Sequence, residues 1–140
     1  MEIKRDQYLN QLISRKHDGL IKIITGIRRC GKSYLLRTIF KNHLLENGVP
    51  ENHIVEMAFD LFENIDYQNP RVFYAWAMDR IKDNGQYYFL LDEVQLLGEF
   101  VSVLNGLADK KNVDVYVTGS NAKFLAKDVA TEFGGRGEEI

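Results

Sequence analysis

The hydrophobic residues of this chain follow two different spacings. Over residues 54–61 an apolar side chain occupies every second position, which is typical of a strand with one partly solvent-exposed face, and therefore of an edge strand. Residues 87–91 are all apolar, as expected of a strand that is buried on both faces inside a sheet. From Phe100 to Leu107 the apolar residues recur at i, i+3, i+4 and i+7, the spacing of one helix face.

The same criteria, applied with turn and capping signals, divide the whole chain into alternating helices and strands. They predict helices at 6–18, 32–47, 70–81, 100–107 and 121–132, and strands at 20–25, 54–61, 87–91 and 113–118. Such alternation implies right-handed crossovers and a parallel sheet with helices on both faces, which is a three-layer α/β/α fold. Ligands of such folds bind beyond the carboxyl ends of the strands, so the residues that follow each strand are the candidates for function.

Composition and charge exclude only a few classes of function. The 140 residues are 45% hydrophobic and 27% charged, as in an average soluble domain, and the net charge of -2 argues against a surface that binds polyanions throughout. Residues 1–41 hold ten Lys or Arg and three acids, an excess that would suit nucleic acid, but no aromatic residues are interleaved to form a stacking surface. No apolar run is long enough to span a bilayer, so we expect a cytoplasmic protein without membrane association.

The segment after the first predicted strand fits the pattern G-x-x-x-x-G-K-[ST] at residues 26–33. The two glycines let successive backbone N–H groups point into one concavity, and the following helix adds its positive amino end, which together suit a polyphosphate. Lys32 brings a positive charge to the β- and γ-phosphates, and the Ser33 hydroxyl suits the Mg²⁺ that bridges them. The alternative is a glycine-rich turn with a surface lysine. The residues predicted to bind the nucleotide are Gly26, Ile27, Arg28, Arg29, Cys30, Gly31, Lys32, Ser33 and Tyr34.

Two acids follow the buried strand at 87–91. Asp92 is predicted to present its carboxylate to the metal, so that Ser33 and Asp92 form the metal-binding pair. Glu93, one residue later, is predicted to polarise a water for attack on the γ-phosphate. The alternative for Glu93 is a solvated loop carboxylate.

Further polar residues lie after the last predicted strand and near residue 140. Ser120 and Asn121 are predicted to hydrogen-bond the γ-phosphate or the attacking water, although either residue also suits the N-cap of the following helix. Arg136 is either an ordinary loop arginine or an arginine finger that completes the site of a neighbouring subunit.

Together these motifs resemble the ATPase branch of the P-loop NTPases. More narrowly, G-I-R-R-C-G-K-S, L-L-D-E-V-Q, V-T-G-S-N and the late G-R-G are similar to those of uncharacterised prokaryotic ATPases of the AAA superfamily. The resemblance implies a sheet of order 5-1-4-3-2 and a P-loop ATPase core over residues 1–140, with the nucleotide-binding domain at 20–140. It also implies a further C-terminal domain that this chain lacks, and a fifth strand that is truncated, which would leave the first strand as an unpaired edge.

The leading functional hypothesis is Mg²⁺-dependent ATP hydrolysis that drives a conformational change in an attached domain or partner. A homo-oligomer, in which the arginine finger is supplied in trans, is compatible with this hypothesis. A nucleotide-binding switch with little turnover is the alternative. A small-molecule kinase is disfavoured because no basic residue lies between Lys82 and Lys110 to form an arginine-rich lid. A GTPase is disfavoured because the chain has no N-K-x-D motif to recognise guanine.

Overall fold

A computed structural model of the chain describes residues 2–25, 31–119, 133 and 135–140. Its helices are α1 (Glu2–Ser14), α2 (Gly31–Tyr34), α3 (Lys41–Glu46), α4 (Pro70–Arg80) and α5 (Phe100–Ala108). Its strands are β1 (Ile21–Ile24), β2 (Ile54–Ala58), β3 (Tyr87–Asp92), β4 (Val113–Thr118) and β5 (Gly137–Glu139). The predicted helix at 121–132 lies outside the described residues.

The strands form one sheet in the order β2-β3-β4-β1-β5, with every neighbouring pair parallel. This confirms the predicted class and order. The uninterrupted apolar strand β3 is buried along its whole length between β2 and β4, as the pattern indicated. In the described part of the chain β2 is an edge, and its half-buried Glu56 accepts a 2.6 Å hydrogen bond from the Lys41 ammonium.

Apolar side chains cover both faces of the sheet. On one face, residues of α4 and α5 pack on β3 and β4: Phe73, Ala77, Val103, Leu104 and Leu107. On the other face the packing residues come from α1 and from the helical run that starts at α2: Leu12, Leu35, Leu36, Phe40 and Leu44. Each of the larger of these side chains contributes about 2 kcal/mol when it is fully removed from water, so the two helix layers stabilise the sheet between them.

The fifth strand, expected to be truncated, is present as a short strand of three residues. It pairs parallel with β1, with Ile21 opposite Gly137, and the Ile140 N–H extends the ladder by donating to the Ile23 carbonyl at 2.9 Å. Gly135, at a φ of 87°, adopts the left-handed conformation just before it. Contrary to the expectation for a truncated sheet, β1 is paired on both sides, by β4 and β5.

The helix predicted over 32–47 is one helical run with an irregular middle. It begins as α2 and ends as α3, and the six residues Leu35–Phe40 between them form a π-helical segment. Such wide turns are rare and are most often found near functional sites. A second difference is the 3-10 helix Phe62–Gln68, which the sequence analysis did not predict because its residues show no apolar spacing.

The amino ends of β1 and β4 carry a buried charge network that we refer to as the Lys22 cluster (Asp18, Lys22, Asp114 and Tyr116). The fully buried Lys22 ammonium donates to Asp114 Oδ1 at 2.5 Å and to Asp18 Oδ1 at 3.0 Å. The Tyr116 hydroxyl donates to Asp114 Oδ2 at 2.7 Å. Burial, and then the Asp114 charge, raise the pKa of Tyr116, so its hydroxyl keeps its proton and remains a donor.

Asn69 begins α4 in the way its sequence predicts. Its side-chain oxygen accepts hydrogen bonds from the backbone N–H groups of Arg71 at 2.9 Å and Val72 at 3.2 Å, and Pro70 is the first helical residue. We expect Asn69→Ala to lower the free energy of unfolding by about 1 kcal/mol, since those two donors lose their partner. Urea denaturation measures the change. Asn69→Ser, which retains a capping oxygen, is the control, and equal losses in both variants would contradict the capping role.

Candidate functional site

The carboxyl ends of β1, β3 and β4 meet at one edge of the sheet, and α2 starts beside them. Of the residues predicted for this edge, Gly26, Ile27, Arg28, Arg29, Cys30, Ser120 and Asn121 lie outside the described residues. The others can be located. Gly31 and Lys32 are buried at the start of α2, whereas the Tyr34 side chain is 46% exposed.

Lys32 lies against the end of β4. Its ammonium group is almost completely buried and donates a 2.7 Å hydrogen bond to the carbonyl of Gly119, the residue that follows β4. An ammonium group has three protons to donate, and a buried charge is costly unless it is hydrogen-bonded or paired. Lys32 is therefore suited to an anionic ligand at this edge of the sheet.

Ser33 and Asp92, the two predicted metal-binding residues, are in direct contact. The Ser33 hydroxyl donates to Asp92 Oδ2 at 2.5 Å, and Asp92 is the last residue of β3 and is buried. Hydroxyl and carboxylate oxygens are hard ligands of the kind that Mg²⁺ prefers, so the chemistry of this pair fits that ion. The structure thus brings Lys32, Ser33 and Asp92 together although they come from distant parts of the sequence.

Thr118, which the sequence analysis did not select, connects the two acids. Its fully buried hydroxyl donates to Asp92 Oδ1 and accepts a hydrogen bond from the Glu93 backbone N–H at 2.9 Å. The signal that would have identified it is strand register. Leu91 lies opposite Val117 in the parallel ladder, so the next residues, Asp92 and Thr118, are neighbours.

Glu93 follows β3 directly and has a left-handed backbone conformation. Its φ of 55° and ψ of 51° lie in the left-handed region, which costs a non-glycine residue about 1 kcal/mol or more. Gln95 Nε2 donates to Glu93 Oε1 at 2.8 Å. Gln95 thus holds the carboxylate of the residue two positions before it. Gln95 was not among the residues predicted from the sequence.

Arg136 lies at the opposite end of the sheet. Its carbonyl accepts from the N–H of Ile21, the first residue of β1, whereas the candidate site lies beyond the last residues of β1 and β3. The Arg136 guanidinium forms an ion pair with Asp109 and donates to the Asn105 carbonyl at 3.2 Å, both near the end of α5. Within one chain, the structure does not bring Arg136 together with Asp92 and Glu93.

Comparison with known proteins places this arrangement in context. Residues 18–140 match the protein family described as AAA domain. The chain is 34% identical over 139 residues to an uncharacterized protein of Haemophilus influenzae, covering 99% of this chain and 34% of that protein. It is 30% identical over 116 residues to an uncharacterized protein of Methanocaldococcus jannaschii, covering 83% of this chain and 24% of that protein. The chain therefore spans about a third or less of the length of these two relatives.

Solved structures with a similar fold include Drosophila ORC bound to AT-rich DNA and Cdc6, with a TM-score of 0.62 and 10% identity. That match covers 98% of this chain and 53% of the other. Drosophila ORC bound to DNA matches with a TM-score of 0.57 and 8% identity, covering 98% of this chain and 88% of the other. At such low identity these matches support the fold alone. In the ranges that the structure describes, none of the helices combines the length and the apolar character needed to cross a membrane.

Proposed function

This chain belongs to the AAA domain family of P-loop ATPases, and from that premise we propose that it binds ATP with Mg²⁺ and hydrolyses the β–γ phosphoanhydride bond. The observation that carries the proposal is the meeting of Lys32, Ser33 and Asp92 at the carboxyl edge of the sheet. This edge is where ligands of parallel α/β folds bind. We also place the activity in the cytoplasm, where ATP and Mg²⁺ are available.

Binding of the substrate is assigned to the loop at 26–31 and to Lys32. Backbone N–H groups of this loop would surround the phosphates, and the Lys32 ammonium would exchange the Gly119 carbonyl for β- and γ-phosphate oxygens. Ser33 Oγ and Asp92 Oδ2 are the atoms assigned to Mg²⁺, which when bound would neutralise negative charge on the phosphates. Because Lys32 is buried, the new ion pairs would form away from bulk water, where they are stronger.

Hydrolysis is assigned to Glu93. Its carboxylate would accept a proton from the attacking water, and Ser120 and Asn121 would hydrogen-bond the γ-phosphate. The left-handed backbone at Glu93 supports this role, since at this residue the chain leaves the extended conformation of β3, which ends at Asp92. A carboxylate for the metal and a carboxylate for water can then act side by side without competing for one position.

Arg136 is proposed to act in the site of a neighbouring copy, because in its own chain it lies at the far end of the sheet. It would first have to leave Asp109, so assembly would compete with an ion pair inside the chain. We further propose that hydrolysis drives a conformational change in an attached domain or partner. The greater length of the two relatives supports this part of the proposal.

Replacing Glu93 tests the proposed reaction. We expect Glu93→Gln to bind Mg-ATP with unchanged affinity. Its rate of hydrolysis should fall by at least about 100-fold, since an amide cannot accept the proton. Phosphate release at saturating Mg-ATP and a titration with a fluorescent ATP analogue measure the two quantities. Glu99→Gln is the matched control, because Glu99 is also an acid with a left-handed backbone, at a φ of 51°.

Equal turnover by wild type and Glu93→Gln would favour the second candidate function, a nucleotide-binding switch. The hydrogen bond from Gln95 to Glu93 favours that alternative, since it occupies Oε1, one of the two carboxylate oxygens that could meet a water. Binding without measurable turnover in the wild type would lead to the same conclusion.

A further inference from the structure

We propose that Thr118 is a positioning residue whose single hydroxyl fixes the orientation of both acids, Asp92 and Glu93. This inference rests on the proposed function, since it concerns the same site. The Thr118 hydroxyl donates to Asp92 Oδ1, whereas the oxygens assigned to the metal are Ser33 Oγ and Asp92 Oδ2. Thr118 therefore acts on the metal site through Asp92.

The direction of the two hydrogen bonds follows from the chemistry of the groups. The Glu93 backbone N–H is a donor only, so the Thr118 oxygen must accept from it, at 2.9 Å. An ionised carboxylate is an acceptor only, so the single hydroxyl proton must point to Asp92 Oδ1. Thr118 is fully buried, which removes water as a competing partner, and its branched β-carbon restricts rotation of the hydroxyl.

The first consequence concerns Asp92. Because Thr118 occupies Oδ1, the other oxygen, Oδ2, is the one that meets Ser33. Without the hydroxyl, Oδ1 would be a buried carboxylate oxygen that has lost its donor, and the carboxylate would be free to rotate. Residues that orient a metal ligand in this way typically change metal affinity or activity 10- to 100-fold when they are replaced.

The second consequence concerns Glu93. Its left-handed backbone is unfavourable for a residue with a side chain, so it persists only where surrounding contacts fix it. The hydrogen bond from the Glu93 N–H to Thr118 is one such contact. Removing the acceptor would take away this hydrogen bond at the residue assigned to proton transfer, and would weaken the restraint on the Glu93 carboxylate.

A pair of variants at this position separates positioning from simple packing. Thr118→Val keeps the branched shape and loses the hydroxyl, whereas Thr118→Ser keeps the hydroxyl and loses a methyl group. Tyr116→Phe is the matched control, because it removes another buried hydroxyl hydrogen bond from the same strand, the one to Asp114. The measurements on the complete protein are kcat, the melting temperature, and the Mg²⁺ concentration that gives half-maximal binding of a fluorescent ATP analogue.

We expect Thr118→Val to raise the half-maximal Mg²⁺ concentration about tenfold or more and to lower kcat by a similar factor. Thr118→Ser should restore both quantities towards wild type. Tyr116→Phe should lower the melting temperature with the Mg²⁺ dependence unchanged. This contrast is one that a purely structural role of Thr118 would not produce.

Wild-type Mg²⁺ dependence and kcat in Thr118→Val would overturn the inference and leave the proposed ATPase intact. A wild-type protein that binds Mg-ATP without hydrolysing it would contradict the proposed reaction, and the Mg²⁺ titration would still test Thr118. A wild-type protein with no affinity for Mg-ATP would overturn both. If Thr118→Val does not fold, Thr118→Cys, which retains only a weak donor, is measured in the same way, and wild-type values there would equally overturn the inference.

Discussion

Replacement of Lys32 by alanine is expected to abolish measurable binding of Mg-ATP. The Lys32 ammonium is buried and donates to the Gly119 carbonyl. Among the described residues, no other basic side chain forms a hydrogen bond or ion pair with Gly119, Ser33 or Asp92 and could replace it. A hydrogen bond to a charged group contributes about 1.5–3 kcal/mol, so losing two such bonds to phosphates weakens binding by at least about 100-fold. Isothermal titration calorimetry with Mg-ATP measures the loss.

Lys41→Ala is the control for this experiment. Lys41 belongs to the same helical run and its ammonium donates to Glu56 Oε2 at 2.6 Å, on the edge strand β2. It should lose that ion pair and retain the wild-type affinity for Mg-ATP. If Lys32→Ala bound Mg-ATP as tightly as wild type, the assignment of residues 26–33 to the phosphates would be wrong.

The largest effect on stability is expected in the Lys22 cluster. Asp114→Asn keeps the shape of the side chain but removes the charge that faces the fully buried Lys22 ammonium at 2.5 Å. Breaking a buried ion pair on one side typically costs 3–5 kcal/mol, because the remaining charge is left without compensation. Since Asp18 remains within 3.0 Å of Lys22, we expect a loss near the lower limit, about 3 kcal/mol.

Urea denaturation measures this loss as a shift of the unfolding midpoint. Asp79→Asn is the control, because Asp79 pairs with Arg80 and Lys82 on the surface, where ion pairs contribute little. Its midpoint should match that of wild type. An Asp114→Asn protein as stable as wild type would show that the cluster does not hold the amino ends of β1 and β4 together.

The sequence was most informative where burial and chain direction determine the structure. The apolar run at 87–91 has the length and composition of a strand buried on both faces, and it forms all of β3 except Asp92, between β2 and β4. Because all strands are parallel, residues that follow different strands collect at one edge. The contact between Ser33 and Asp92 is a consequence of this topology.

Features that depend on pairing between distant segments were not predictable in the same way. The family resemblance implied a fifth strand beside β1, but the three residues of β5, two of them glutamates, carry no apolar pattern of their own; β5 forms where β1 offers an open edge, and Arg15 pairs with Glu138 at 3.0 Å. A lysine in the short strand β1 would ordinarily be expected at the surface, yet Lys22 is fully buried, since its carboxylate partners are supplied by other segments.

The contacts that orient the acids were missed for a related reason. Thr118 acts through the register of β3 and β4, which sequence periodicity does not determine to the residue. Gln95 contacts Glu93 across a left-handed residue at position 93, and a carboxylate after a strand gives no sign of this conformation.

The left-handed backbone at Glu93 makes stability and the proposed chemistry favour different residues at one position. Glycine would adopt the φ of 55° without the steric cost that glutamate bears, so selection for thermal stability alone would move the chain away from a carboxylate there. If Glu93 performs the proposed proton transfer, the protein retains a locally unfavourable backbone in exchange for catalytic competence. Engineering for greater heat resistance should therefore leave this turn untouched and look for gains elsewhere in the chain.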